Sequence, residues 1–195
     1  MRTWEAALHL GQYLCDNRFL VEGRRILELG AGTAYLSILC VKHLGAMHCL
    51  ASDGSDSVIN AMPDNFFLNH LQDSRAISPL DLKWGHALVG TEEADWNGGR
   101  PVDIVLGADI TYDKRLVPAL VATLEELRDK FPGLQVLVSA TERNKETFEN
   151  FERTCEKRGF ACRRLAYPIT AAREQMGPFY SDKTPIHICA LHLGA

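Results

Sequence analysis

The sequence predicts an α/β protein with a mostly parallel sheet, and three observations support this. A short apolar run, Ile26 to Leu29, precedes two glycines, Gly30 and Gly32, and a helical pattern of apolar residues begins directly after them. Apolar strand-like runs then alternate with helix-like stretches. The length of 195 residues fits one domain, expected to cover 1–195. A strand, glycine turn and helix of this kind are typical of nucleotide-binding sheets, in which ligands bind at the carboxyl ends of the strands.

The first half of the chain is predicted to alternate helices and strands. The first helix is amphipathic, with Trp4, Leu8 and Leu14 among its apolar positions and Thr3 as a candidate N-cap. Pro63 lies in the third helical stretch, where a proline either ends a helix or starts a new one. The predicted elements are a helix over 3–17, a strand over 25–29, a helix from 34, a strand over 47–52, a helix from 57 and a strand over 76–83.

The second half begins after a glycine-rich stretch, 90–101, that is predicted to be an exposed loop. Strands are expected over 102–106, 134–140, 160–167 and 186–193, with helices over 116–130 and 145–158. Gly159 is a candidate C-cap residue of the last helix. The last two strands have no helix between them, which predicts an antiparallel hairpin. Neither face of the final strand is clearly polar, so its facing is not predicted.

Composition limits the classes of function and location. A net charge of −4 argues against a protein that binds mainly through nucleic-acid phosphates. No run approaches the roughly 20 apolar residues of a membrane span, and 1–17 lacks the apolar core of a signal peptide. The 6 cysteines show neither C-x-x-C spacing nor a cysteine/histidine cluster, so we expect free, mostly buried thiols and no metal site. The chain is expected to be cytoplasmic and, by default, monomeric.

The glycine turn carries the first functional signal. A dinucleotide fingerprint, G-x-G-x-x-G, would need a small residue at position 35, which is Tyr35. Instead Glu28 comes two residues before Gly30, and Ala34 takes the place of the last glycine. This pattern resembles the first motif of class I S-adenosylmethionine-dependent methyltransferases, in which the turn passes the methionine part of the cofactor. Ordinary strand–turn–helix packing is the alternative, and Tyr35 and Glu28 disfavour a nicotinamide oxidoreductase.

Two residues near the ends of the next strands suit the rest of a nucleoside. Asp53 follows Gly30 at close to the spacing of about 20 residues at which an acid binds ribose hydroxyls in such sheets. Its alternative role is a helix cap. Trp84 follows the third predicted strand and could stack on an adenine ring, although a tryptophan closing the core edge fits equally well.

An acid and a tyrosine, Asp109 and Tyr112, follow the fourth predicted strand, at the edge that borders a transferable group in this fold. With them, four features occur in one order: W-E-A-A at 4–7, E-L-G-A-G at 28–32, L-K-W-G at 82–85 and A-D-I-T-Y at 108–112. Together they resemble the seven-strand protein lysine methyltransferases of methyltransferase family 16, whose mark is D-x-x-Y. The resemblance covers nearly the whole chain and is greatest to the branch that methylates a lysine of translation elongation factor 2.

The resemblance implies a Rossmann-like class I methyltransferase fold, with a seven-stranded, mostly parallel sheet, an antiparallel C-terminal hairpin and helices on both faces. It implies S-adenosyl-L-methionine as cofactor, contacted by Trp4, the backbone of Gly30, Ala31 and Gly32, Asp53, Trp84 and Ala108. Glu28 is grouped with these residues, mainly as support for the turn. Asp109 and Tyr112 are implied to receive the target lysine, Asp109 by attracting its ammonium group. No metal is implied.

Several alternatives stay open at this point. The acceptor could be a histidine, a small molecule, or a lysine of a chaperone or ribosomal protein, and a non-catalytic binding module is a further possibility. The elongation factor 2 branch normally carries a long amino-terminal extension, so Met1 is expected to mark a shortened chain. Neither the target lysine nor the degree of methylation follows from the sequence.

Overall fold

The computed structural model describes residues 2–86 and 101–193. Among them, seven strands form one sheet in the order β3-β2-β1-β4-β5-β7-β6. The strands are β1 (Arg25–Leu29), β2 (His48–Asp53), β3 (Ile77–Asp81), β4 (Ile104–Ala108), β5 (Gln135–Thr141), β6 (Phe160–Arg164) and β7 (Ile186–Leu193). The helices are α1 (Glu5–Asp16), α2 (Tyr35–His43), α3 (Asp56–Leu68), α4 (Val117–Lys130) and α5 (Lys145–Lys157).

The sheet confirms the predicted fold class. Strands β1 to β5 pair in parallel, and β7 pairs antiparallel with both β5 and β6. One apolar core packs α4 and α5 against one face of the sheet. A second core packs α1, α2 and α3 against the other face. The strand order reverses between β1 and β4, and this is the place where open α/β sheets bind ligands.

The position of β7 explains why its sequence showed no polar face. This strand lies between β5 and β6, so neighbours cover it on both edges. Ile188 packs into the core on the α1 side, and Cys189 packs into the core on the α5 side. Because both faces are buried in the middle of the strand, alternation between polar and apolar residues is absent there.

Several local predictions need correction or support. Trp4, not Thr3, is the N-cap residue of α1, and the Thr3 hydroxyl instead lies 2.9 Å from that of Thr33. Helix α3 continues through Pro63 without a break. Gly159 follows α5 with a φ of +76°, in agreement with its predicted place at the helix end. All six cysteines are free thiols and four of them are buried, as expected.

The predicted loop at 90–101 lies almost entirely outside the described residues. The fourth strand begins two residues later than predicted and ends two residues later, at Ala108. The strand predicted over 160–167 is shorter, ending at Arg164. In the part of the chain that the structure describes, no helix is long and apolar enough to cross a membrane.

Candidate active site

A cavity of about 750 Å³ opens at the carboxyl ends of β1, β2 and β4. Eight of the ten predicted site residues line it: Trp4, Gly30, Gly32, Asp53, Trp84, Ala108, Asp109 and Tyr112. The other two, Glu28 and Ala31, lie behind the glycine turn and do not line the cavity. The fold therefore brings together residues that are up to about a hundred positions apart in the sequence.

The two glycines of the turn serve different purposes. Both have left-handed backbones, with φ of +62° at Gly30 and +52° at Gly32. A Cβ on Gly30 would lie only 2.7 Å from Cγ2 of Ile110, whose side chain is buried in the core. A Cβ on Gly32 would meet nothing within 4 Å. Gly30 therefore permits close packing, whereas Gly32 leaves space open for a ligand.

Asp53 is the last residue of β2, and its side chain connects this strand to the glycine turn. Its Oδ2 accepts a hydrogen bond from the Gly32 amide at 3.2 Å, and its Oδ1 accepts one from the Ser55 amide at 3.1 Å. A carboxylate has about four lone-pair positions, so two remain for a ligand. Ser55, not Asp53, is the N-cap residue of α3, which leaves Asp53 directed along the cavity wall.

Ala31 and Ala34 are held by the protein itself. The Ala31 amide donates to the Ser52 carbonyl at 2.8 Å, which joins the turn to β2. Ala34 has a φ of +58°, so the replacement of the last glycine by alanine is more than a change of size. An L-residue in this region costs roughly 1–2 kcal/mol, and the buried alanine methyl offsets part of that cost.

Glu28 is buried beneath the turn. Its Oε2 accepts hydrogen bonds from the Ser37 amide at 2.9 Å and from the Ser37 hydroxyl at 2.6 Å. Burial raises the pKa of Glu28 to about 7, although both hydrogen bonds oppose that rise. The carboxyl group thereby ties β1 to the first turn of α2.

Trp84 lies beside the glycine turn, where its Cζ2 would be 3.4 Å from a Cβ placed on Gly30. The next residue, Gly85, donates its amide to the Thr123 hydroxyl of α4 at 3.1 Å. This bond fixes the segment that carries the indole. The ring is half-buried and lines the cavity, so part of it is accessible to a flat ligand.

Asp109 directs its carboxylate towards the end of β5. Its Oδ1 accepts from the Thr141 amide at 2.8 Å, and its Oδ2 accepts from the Thr141 hydroxyl at 3.0 Å. The backbone is left-handed, with a φ of +52°, and the side chain is 7% exposed. Aspartate tolerates this conformation better than most residues, and strained residues of this kind cluster at functional sites.

Arg143 and Glu5 are site residues that the sequence interpretation missed. Arg143 lies 3.5 Å from Oδ2 of Asp109 and 2.8 Å from Oε2 of Glu5. Its guanidinium carbon is 5.1 Å from the centre of the Trp4 ring. Thr141 and Arg143 come at and just after the end of β5, which is the neighbour of β4. The same rule that selected Asp109 could therefore have found them.

The rim of the cavity is partly apolar. Tyr112 is 71% exposed, Trp4 is 46% exposed and Leu116 is 40% exposed, and all three line the opening. Arg2 also lines the cavity and lies 4.3 Å from the Trp4 ring centre. Large exposed apolar side chains around a concave opening are typical of a surface that meets another molecule.

A second cluster, also missed from the sequence, lies between α5 and the β6–β7 pair. It brings ligand atoms of Glu152, Cys162 and Cys189 within 4.8 Å of one another. Arg164 already occupies the Glu152 carboxylate with two hydrogen bonds of 2.6 and 2.7 Å. A cation would have to displace this guanidinium, so the cluster is poorly suited to a metal ion.

Comparison with solved structures supports the fold. The methyltransferase domain of bacterial CtHen1-C matches with a TM-score of 0.67 and 18% identity, covering 97% of this chain and 98% of that one. At this level of identity the likeness concerns the fold alone.

Comparison with curated proteins identifies relatives. A Chaetomium thermophilum protein named protein-lysine N-methyltransferase EFM3 is 58% identical over 98% of this chain and 57% of its own length. A human protein named protein-lysine N-methyltransferase EEF2KMT is 29% identical over 76% of this chain and 47% of its own length. The chain thus spans about half the length of these relatives. A family model described as lysine methyltransferase matches residues 1–157. On this match and the close fungal relative, the chain belongs to the lysine methyltransferase family.

Proposed function

We propose that this chain is a protein-lysine N-methyltransferase that uses S-adenosyl-L-methionine. The observation that carries the proposal is one cavity that joins the glycine turn, Asp53 and Trp84 to the D-x-x-Y pair, Asp109 and Tyr112. The first group suits a nucleoside-bearing cofactor, and the second group lies at the edge where an acceptor would enter. Membership of the family implies the same methyl donor.

The residues of the cavity fit this cofactor. A volume of about 750 Å³ is within the range of cofactor sites. The free lone pairs of Asp53 suit the two ribose hydroxyls, and the accessible part of Trp84 suits the adenine. The open space at Gly32 lets the methionine part approach the backbone, and Trp4 lines the same cavity. When bound, the cofactor supplies an activated methyl group on a sulfonium centre.

The task left to the protein is to present a neutral lysine nitrogen in line with that methyl group. Alignment of two reactants can contribute several orders of magnitude in rate. Lysine has a pKa near 10.4 in water, so the side chain must lose a proton to solvent before its lone pair can attack. Asp109 is held rigidly by Thr141 and lies beside the cavity, which suits a group that orients the amine. Tyr112 would contact the lysine stem at the rim.

For the protein substrate we propose translation elongation factor 2. The support is the sequence resemblance to the branch with that substrate, carried by W-E-A-A at 4–7, L-G-A-G-T-A at 29–34 and A-D-I-T-Y-D at 108–113. This substrate would place the enzyme in the cytoplasm, and a monomeric enzyme acting on a separate protein is the simplest arrangement. The amine-accepting rim, with Tyr112 and Leu116 exposed, is compatible with a protein partner.

The test uses radiolabelled S-adenosylmethionine with a lysate of cells that lack this protein. The wild-type chain should label one band at the size of elongation factor 2. Asp109→Asn, chosen because asparagine also tolerates a positive φ, should lower labelling about 100-fold. Binding of S-adenosylmethionine, measured by calorimetry, should be retained.

Asp73→Asn is the matched control, since Asp73 is exposed and lies between α3 and β3, at the opposite edge of the sheet. It should label the lysate like the wild type. A band of a different size would keep the lysine methyltransferase and reject elongation factor 2. Undiminished labelling by Asp109→Asn would remove Asp109 from the mechanism, and the absence of any label would refute the activity.

A further inference from the structure

Arg143 occupies an unusual place for a cation in a site that must accept another cation. Its Nη2 lies between Oε2 of Glu5, at 2.8 Å, and Oδ2 of Asp109, at 3.5 Å. Glu5 also holds Arg2 through its other oxygen, at 2.8 Å. The Arg143 side chain is 46% exposed, so its charge is partly, not fully, screened by water.

A carboxylate alone would hinder the reaction that it is supposed to assist. An ammonium group beside Asp109 would be stabilised by the opposite charge, which raises its pKa and keeps the proton on the nitrogen. A protonated lysine has no lone pair and cannot accept a methyl group. The site therefore needs a feature that attracts or orients the amine without retaining its proton.

We propose that Arg143 is a positioning residue that supplies this feature, and the inference rests on the function proposed above. Its guanidinium, fixed beside Asp109, offsets the carboxylate charge, so that the neutral amine is the favoured form of the incoming lysine. The ammonium releases its proton to water. The nitrogen lone pair then forms the bond to the methyl carbon as the carbon–sulfur bond breaks, and that electron pair stays on sulfur.

The charges of the neighbouring elements support this balance. Two arginines, Arg2 and Arg143, are matched by two carboxylates, Glu5 and Asp109, across the start of α1 and the ends of β4 and β5. Other charged side chains near this edge form separate pairs: Asp113 with Arg115, Lys114 with Glu146, and Glu142 with His187. The other titratable side chains that line the cavity are Asp53, Lys83, His86 and Tyr112. Loss of Arg143 would leave two carboxylates against one arginine.

Arg143 also has a geometric role, which must be separated from the electrostatic one. It joins the end of β5 to Glu5 at the start of α1, and it contacts the Trp4 ring that lines the cavity. A substitution could therefore lower activity only by loosening this wall. The pH dependence distinguishes the two roles, because loosening does not change the pKa of the bound lysine in a defined direction.

The experiment measures kcat against pH at saturating S-adenosylmethionine and elongation factor 2, or the protein labelled in the lysate in its place. In Arg143→Met the rising limb of the kcat–pH curve should move to higher pH by about one unit, since loss of the nearby positive charge raises the pKa of the bound lysine. In Arg143→Lys, which keeps the charge, the limb should stay within a few tenths of the wild type. Glu5→Gln, which removes a negative charge and keeps Arg143, should move it in the opposite direction.

A second readout needs no turnover. Calorimetry of the protein substrate binding to enzyme loaded with S-adenosylhomocysteine, in two buffers of different ionisation enthalpy, gives the number of protons released. The wild type should release more than Arg143→Met. Arg173→Met is the matched control, because Arg173 is exposed and paired with its neighbour Glu174. It should change neither readout.

Lower activity in Arg143→Met with an unshifted limb and unchanged proton release would overturn the inference and leave Arg143 a structural role. If Arg143→Met does not fold, the direction of the shift in Glu5→Gln decides: an upward shift or none overturns the inference. Absence of methyl transfer by the wild type would instead refute the proposed function. The two failures are therefore distinguishable.

Discussion

Replacing three glycines by alanine separates backbone strain, packing and ligand access at the turn. Gly23, Gly30 and Gly32 all have positive φ, at +68°, +62° and +52°. Each alanine would therefore bear a strain of roughly 1–2 kcal/mol. The entropic gain from replacing glycine in the unfolded chain is common to the three variants, so it cancels when they are compared.

Of the three variants, only Gly30→Ala adds a steric clash to the backbone strain. Its new Cβ would lie 2.7 Å from Cγ2 of Ile110, which is buried and has little room to move. Overpacking of this kind costs about 1–3 kcal/mol, so Gly30→Ala should lose about 2–5 kcal/mol in total. For a domain of this size, that corresponds to a fall in Tm of roughly 4–20 °C, against roughly 2–8 °C for the other two variants.

The three variants should rank differently in cofactor affinity than in stability. Gly32→Ala places a methyl group in the open part of the cavity, so it should weaken S-adenosylmethionine binding although its fold is little affected. Gly23→Ala, exposed and distant from the cavity, should bind like the wild type. Denaturation and calorimetry on the same preparations give both quantities. Equal stability losses in Gly23→Ala and Gly30→Ala, or normal binding by Gly32→Ala, would refute this interpretation.

Two further variants test the polar groups that support the site. Burial raises the folded-state pKa of Glu28 to about 7, so its contribution to stability is complete below its ordinary pKa and is lost as pH rises through about 7. In the wild type, the free energy of unfolding should therefore fall by about 3 kcal/mol between pH 4 and pH 8, measured by urea unfolding. Glu28→Gln should remove this fall, and parallel pH profiles of the two proteins would contradict the assignment. Tyr180 joins His9 and Gln12 of α1 through hydrogen bonds of 2.9 and 2.8 Å. Tyr180→Phe should cost about 1–3 kcal/mol in thermal unfolding, because it removes a hydrogen-bond partner of the buried His9 and of the partly buried Gln12. A change below about 0.5 kcal/mol would argue against that network.

Periodicity and turn chemistry predicted much of this fold because they are local. The β1 turn, Asp53 and Asp109 each lie at or just after the end of a strand, and parallel strands carry such residues to one edge. The limits of prediction are also physical. Arg143 and Glu5 lie far apart in the sequence and meet only because α1 packs across the ends of β4 and β5. Likewise, the left-handed backbone of Ala34 cannot be read from a residue type that usually avoids it.

The stretch from Thr3 to Glu5, at the start of α1, links the two halves of the cavity. On one side, the Thr3 hydroxyl meets that of Thr33, next to the glycine turn. On the other, Glu5 holds Arg143 beside Asp109. Between them Trp4 lines the cavity, so one short stretch contacts both the expected cofactor region and the expected lysine region. A ligand that orders this stretch from the glycine side would also fix Glu5, and through it Arg143. Cofactor binding and the protonation state of the lysine are therefore expected to be coupled through residues 3–5 and the contacts of Glu5 with Arg143 and of Arg143 with Asp109, not through a long-range change of the sheet.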